Sequence, residues 1–510
     1  MPAYYLEALT VAFGILLLML ETFSSNRSKA WVGGLAAAFL TVVLVLVCFA
    51  KGPDAELSKE WMKWPLWNFY NFDSLARFYK VFALVCTLLV VLLSIDFRSV
   101  LARFTDHPGS ESGTGEFYAL PIFACAGMMW MASAKDLAGA FVALELVTIT
   151  FYILVAFMRR NVGSLEAGVK YLILGALSTG FLVYGIAWIY GSVGTMNMEV
   201  IGHWFTWHGP SGSGVRPMMD HFSPDTVANH APLLFGIALV MVGLGFKVGA
   251  VPMQVWIPDV YQGAPTPTTA FLSVGSKAAG FILMIRFLTP FLAADSPVRV
   301  PVLGLLIILA CVTLLFGNLA AIPQSNFKRL LAYSSIAHAG FLLLALAAWT
   351  PDGVNLMTSA KTVSFYLATY LLMTLGTFFI LSQVRIQSDG ERIEDFNGLG
   401  QRNPRLALAL TVLLASLAGV PLTAGFFGKF FVFSLAVNKG LWWGVGIGFI
   451  SAAAGFYYYF KTIRAMWWQP SAEGAKVLVL PAITKVVVTV LTVLVLVLGV
   501  WAEPIKWLLD

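Results

Sequence analysis

Six side chains that can gain or lose a proton stand inside runs that are otherwise apolar: Glu145, Lys170, Lys247, Lys277, His338 and Lys429. A lysine at the centre of an isolated membrane helix costs about 2.5–3.5 kcal/mol on insertion scales, so several of them imply surroundings lined by protein and water. The chemistry such a set can do is proton transfer. Burial favours the neutral amine and a nearby carboxylate favours the ammonium. A tenfold change in protonation is about 1.4 kcal/mol, and moving one charge through 100 mV takes about 2.3 kcal/mol. Making or breaking one Glu–Lys contact is therefore on the scale of pushing a proton uphill.

Glu145 has no basic residue one helical turn away, so any partner must come from another helix. Lys247 is the best candidate: contact would hold its proton, and withdrawal of Glu145 would let it pass the proton toward Lys277. A static salt bridge that fixes packing is the competing reading, though such a bridge does not need a broken helix beside it. Lys277 lies among the small residues of Ser273–Gly280, which allow close helix approach and room for water. Lys429 either joins the same path or snorkels to the interface. His338 suits a relay, with an ordinary pKa near 6.5, or is a hydrogen-bonded core histidine. Lys170 follows Glu166 by four residues, and a local pair explains much of it.

The elements that position these groups are expected to be membrane-spanning helices. The 510 residues are 59% hydrophobic and 11% charged, against about 25% charged in soluble domains. Apolar stretches of about 20 residues, enough to cross about 30 Å of hydrocarbon, begin near residues 4, 31, 75, 117, 137 and 167. After a polar segment they resume near 232, 267, 300, 327, 361, 404, 440 and 484. The fold class expected is an all-α integral membrane protein of about fourteen spans. An even number puts both termini on one face. If that face is outside, Arg98, Arg103, Arg159, Arg160, Lys328 and Arg329 fall in inner loops, in keeping with the positive-inside rule. The N-terminal stretch has no basic residue ahead of its apolar run, so it is read as a retained first span.

Two spans carry similar interruptions, Gly245–Pro252 and Leu417–Gly425. Proline removes a backbone donor and glycine loosens the helix, so both spans are expected to break near mid-membrane, where irregular backbone survives only beside protein or water. Each break falls in the fourth span of a five-span unit, and an odd number of spans per unit makes the repeats inverted. The expected division is a three-helix segment over 1–116, a first repeat over 117–292, a second over 300–465 and a last span over 484–510.

Other function classes find no support. The +6 net charge comes mainly from short loops, with no basic stripe for nucleic acid. Cys48, Cys86, Cys125 and Cys311 stand singly and read as packing residues. His203, His208, His221 and His230 share the long loop at 193–231, but their spacing matches no metal site and they are read as surface decoration. No dinucleotide-binding glycine loop, Walker loop, iron–sulfur cysteine cluster or nucleophile elbow is present, so redox chemistry is expected in other subunits.

The run from Lys247 to Pro267, together with Ser276–Gly280, Glu166–Tyr171, Leu331–His338, Gly398–Gly400, Ser416–Pro421 and Gly428–Lys429, resembles the subunit N family of bacterial NADH-quinone oxidoreductase. These are antiporter-like membrane subunits of respiratory complex I. The resemblance covers roughly residues 117 to 435. It implies fourteen spans, two inverted five-helix repeats and a proton path along a central polar axis. It assigns the essential carboxylate to Glu145, its partner to Lys247, the middle relay to Lys277 and the outlet to Lys429. Ser276–Gly280 replaces the His-Ala-Ala-Thr-Met-like run of the related L and M subunits, and no long lateral helix follows the last span. The implied setting is the bacterial inner membrane with both termini periplasmic. The implied partners are the other subunits, with NADH, FMN, iron–sulfur clusters and quinone bound elsewhere in the complex and no cofactor or metal in this chain. A subunit of a multisubunit cation/proton antiporter or membrane-bound hydrogenase is the alternative, and a passive scaffold with static ion pairs is a third reading.

Overall fold

The computed structural model describes residues 2–23, 29–52, 69–105, 108–111, 113–206, 230–351, 357–388, 390–471, 478–503 and 505. Among them there is no strand, only four isolated bridges between loops. The helices are α1 (Tyr5–Phe23), α2 (Ala30–Phe49), α3 (Ser74–Leu101), α4 (Glu116–Ser133), α5 (Leu137–Val155), α6 (Val162–Val193), α7 (Met198–Thr206), α8 (Ala231–Val248) and α9 (Ile257–Gly263). There follow α10 (Thr266–Phe291), α11 (Arg299–Ala321), α12 (Phe327–Ala347), α13 (Ser359–Ser388), α14 (Pro404–Ala418), α15 (Ala424–Asn438), α16 (Trp442–Trp468) and α17 (Ala482–Val500). Among the described residues, eleven helical segments are long and apolar enough to cross a membrane, and α14 and α15 are shorter apolar helices. The helices α4 and α16, with the pair α14–α15, occupy the other three stretches read as spans from the sequence.

Burial separates two classes of helix. The windows of α10, α12 and α13 are 94%, 94% and 89% buried, whereas those of α1, α2, α6 and α17 are only 33% buried. The first three form the centre and the others a shell with apolar side chains turned outward, as lipid or partner helices require. With little hydrophobic drive between helices in lipid, close approach depends on small residues. A Cβ on Gly317 would lie 2.6 Å from the Ala337 nitrogen, and one on Gly185 would lie 2.7 Å from the Gly236 carbonyl. These contacts lock α11 to α12 and α6 to α8.

Both helix breaks are present. α8 ends at Val248 with Gly249 in the left-handed region at φ 83°, and α14 ends at Ala418 with Gly419 at φ 95°. A side chain is strained there, so glycine is the residue that can stop the helix and turn the chain. Two loop readings need amendment. The segment at 193–231 contains the helix α7, and His230 caps α8 in a buried position rather than at the surface. The side chains of His203, His208 and His221 lie outside the described residues.

Candidate proton path

Three lysines are carried into the buried centre by the breaks and by one further irregularity. Lys247 occupies the last turn of α8, where carbonyls without helical partners and the negative end of the helix dipole favour a cation. Lys429 stands one turn into α15 and reaches back across the second break, donating from Nζ to the carbonyls of Leu417 at 3.1 Å and Ala418 at 2.6 Å. It thus caps the end of α14. Lys277 follows a π-helical turn, Leu272–Ser276, within α10. Such turns leave backbone groups displaced from the regular ladder and recur at functional sites.

What each lysine touches is neutral. Lys247 Nζ donates to the Thr148 hydroxyl at 2.7 Å. Lys277 donates to both the carbonyl and the hydroxyl of Ser335 and lies 5.8 Å from the centre of the Tyr370 ring. Lys429 has only its two carbonyls and the face of Phe341 at 5.2 Å. Among the described residues none of the three forms an ion pair, although each is at most 8% exposed.

Glu145 is half-buried and accepts a hydrogen bond from Thr179 at 2.9 Å, so the direct Glu145–Lys247 contact expected from the sequence is not formed. Thr148, which does meet Lys247, lies three residues along α5 and so on the same face as Glu145. The carboxylate and the ammonium therefore face the same gap without touching. Lys170 is not a buried group: its side chain is 43% exposed and pairs with Glu166 at 2.7 Å and Asp259 at 2.9 Å. It lines a polar cleft of about 350 Å³ with Lys328, Arg329 and Glu391.

The groups fall into an order. Gly280, one turn beyond Lys277, packs on the stem of Lys247, where a Cβ would lie 3.3 Å from the lysine Cγ. Tyr370, beside Lys277, has its ring centre 4.9 Å from that of His338. His338 bonds through Nδ1 to the Tyr366 hydroxyl at 2.7 Å and through Nε2 to the Tyr459 hydroxyl at 3.3 Å. Tyr366 in turn packs on Gly428, next to Lys429. The line Glu145, Lys247, Lys277, His338, Lys429 thus runs into the centre of the bundle, with hydroxyls against Glu145, Lys247, Lys277 and His338.

The sequence did not point to these hydroxyls. Thr148, Ser335, Tyr366, Tyr370 and Tyr459 are ordinary residues of membrane helices, and only the packing sets them beside the lysines. It also did not point to a buried ion pair between Glu7 of α1 and Lys80 of α3, or to the burial of Lys328, which pairs with Glu391 at 3.1 Å. These buried charges lie outside the six groups singled out from the sequence. Glu7 and Lys80 stand near the ends of their spans, and 73 positions separate them. A local helical pairing rule cannot see such a contact.

Comparison with known proteins identifies the family. The family model described as NADH:quinone oxidoreductase/Mrp antiporter, TM, matches residues 134–455. NADH-quinone oxidoreductase subunit N of Trichlorobacter lovleyi is 38% identical over 479 residues, covering 92% of this chain and 87% of the relative. The subunit N of Heliobacterium modesticaldum is 36% identical, over 98% of this chain and 96% of the relative. A chain of respiratory complex I from Thermus thermophilus with bound aureothin superposes with a TM-score of 0.74 at 29% identity, over 98% of this chain and 97% of that one. The fold, the central lysines and these likenesses together show that the chain belongs to the subunit N family of NADH-quinone oxidoreductase, within the antiporter-like membrane proteins.

Proposed function

We propose that the chain translocates protons across the bacterial inner membrane as a subunit of NADH:quinone oxidoreductase, driven by electron transfer from NADH to quinone in partner subunits. The observation that carries this reading is the set of three buried lysines held only by neutral oxygens. A lysine closed on a carboxylate is fixed as an ammonium, whereas one held by hydroxyls and carbonyls can release its proton at modest electrostatic cost. FMN, iron–sulfur clusters and both substrates belong to other subunits in this reading, and both termini face the periplasm.

Glu145 and Lys247 form the switch. With Glu145 turned to Thr179, as here, Lys247 has lost its countercharge and passes its proton toward Lys277. Turning Glu145 to Lys247 would recharge it. Lys277, His338 and Lys429 carry the proton onward, and Lys170 stands at the inner cleft rather than in the buried path. The two repeats, 117–292 and 300–465, each contribute one broken helix and its lysine to the line, and the segment over 1–116 packs beside them.

In inverted membrane vesicles, Glu145→Gln and Lys247→Ala are each expected to lower NADH-driven proton uptake while native gels still show the assembled complex. Normal uptake in both variants would reject the reading. Copurification with antiporter partners alone, without NADH dehydrogenase activity, would favour the cation/proton antiporter instead.

A further inference from the structure

Polar groups outside the central line gather along one seam, where α3 packs between α10 and α13. Cys86 of α3 touches the π turn of α10, since a Cβ on Gly275 would lie 3.3 Å from its sulfur. Seven residues nearer the start of α3, the fully buried Tyr79 and Ser364 bring their hydroxyls to 3.2 Å. At the same end of the bundle, Arg286 of α10 grips Asp73 through two bonds of 2.6 and 2.7 Å. Arg286 lines a cavity of about 470 Å³ with Asn71 and Lys135.

These groups stand at successive levels along the helices. Tyr370, against Lys277, and Ser364 are six residues apart on α13, as are Tyr79 and Asp73 on α3, so each step is about 9 Å at 1.5 Å per residue. Ser276, next to Lys277, has a buried hydroxyl with no partner among the described residues, a position that suits water. The Ser364 Oγ also lies 2.8 Å from the Ala360 carbonyl. Its single proton can therefore point to that carbonyl or to Tyr79, and the tyrosine proton reverses in answer. A hydroxyl pair with two such settings accepts a proton on one side and releases one on the other.

We propose that this seam is a second outlet, distinct from Lys429, which carries protons from Lys277 through the Tyr79–Ser364 hydroxyl pair to water in the cavity beside Arg286. It rests on the proton-translocating reading and on the orientation given with it, which makes the cavity end the outer face. In each passage the Lys277 ammonium loses a proton to water, the hydroxyl pair gains one and gives one up, and cavity water takes it. Lys277 is left neutral until Lys247 recharges it. The Arg286 charge at the mouth opposes return.

The test is the initial rate of NADH-driven proton uptake by inverted vesicles carrying the whole complex, measured in H2O and D2O and scaled to assembled complex on native gels. Ser364→Ala and Tyr79→Phe are each expected to slow uptake at least about twofold and to enlarge the D2O effect, because a broken wire becomes the slow proton step. Ser364→Thr, which keeps the hydroxyl, should restore both. Normal uptake in Ser364→Ala and Tyr79→Phe, alongside loss in Glu145→Gln, would overturn the outlet and leave the wider reading standing. Slowed uptake that Ser364→Thr does not rescue, with an unchanged D2O effect, would also overturn it.

Discussion

Lys80 and Lys277 are both almost wholly buried lysines in membrane helices, yet they keep opposite company. Lys80 meets the carboxylate of Glu7, which the Tyr70 hydroxyl also contacts at 3.1 Å, and it receives further support from the Met129 carbonyl at 3.3 Å. Lys277 meets a serine and the face of a tyrosine ring. The first arrangement satisfies a charge fully and holds α1 to α3 and α4. The second leaves the charge without a counterion. In the proposed reading, burial alone does not mark a proton carrier; the absence of a fixed carboxylate does.

The largest effects should come from removing one half of the closed pair. Lys80→Met leaves Glu7 buried without its counterion and is expected to cost about 3–5 kcal/mol, seen as loss of assembled complex on native gels. Glu7→Leu combined with Lys80→Met should recover most of that loss, because an apolar pair of similar volume is often neutral or better. Failure of the double variant to recover would mean that the pair does more than hold helices together. Lys277→Met should behave in the opposite way. It leaves only neutral oxygens behind, so assembly should survive while proton uptake falls at least about tenfold, the loss of one well-placed proton-transfer group.

A third expectation concerns the contact between Lys247 and Lys277. Gly280→Leu would drive a side chain into the stem of Lys247 and the side chain of Val248, and overpacking costs about 1–3 kcal/mol. Uptake should fall several-fold more than assembly. Equal losses would show that the contact serves packing only.

The smallest effect is expected at Asp73. Burial works against ionisation of its carboxyl, but the Arg286 guanidinium outweighs it and holds the group below the usual aspartate range. A lowered folded-state value means that the latch contributes stability above the ordinary aspartate pKa and loses it as pH falls through the lowered one. Asp73→Asn should cost about 1 kcal/mol at neutral pH, modest because the carboxylate is 39% exposed, and the difference from the parent should vanish in acid. Thermal unfolding of purified complex at both pH values checks this.

The parts of this molecule visible in the sequence are those written in local pattern. Apolar stretches gave the spans, and glycine and proline at Gly249, Pro252, Gly419 and Pro421 gave the breaks, because both act through the backbone of their own segment. The lysines stood out because each contradicts its apolar neighbours. What connects them was hidden: Ser335 meets Lys277 across 58 positions and Tyr366 meets His338 across 28. Glu145 shows the same limit. Its need for a partner on another helix was evident from its neighbours, whereas its turn toward Thr179 depends on how α6 packs. Lys170 misled because its span is apolar; α6 lies in the outer shell, and the lysine sits at the edge of the polar cleft.

The distinction between closed and open lysines is tested most directly at Ser335, where one atom type can convert Lys277 from open to closed. Ser335→Asp would set a carboxylate against Lys277 as Glu7 is set against Lys80, while Ser335→Asn has nearly the same shape without the charge. With equal assembly on native gels, vesicles carrying Ser335→Asn are expected to keep most of their NADH-driven proton uptake and those carrying Ser335→Asp to lose it. Equal uptake in the two variants would contradict the claim that a buried lysine conducts here because no carboxylate holds it.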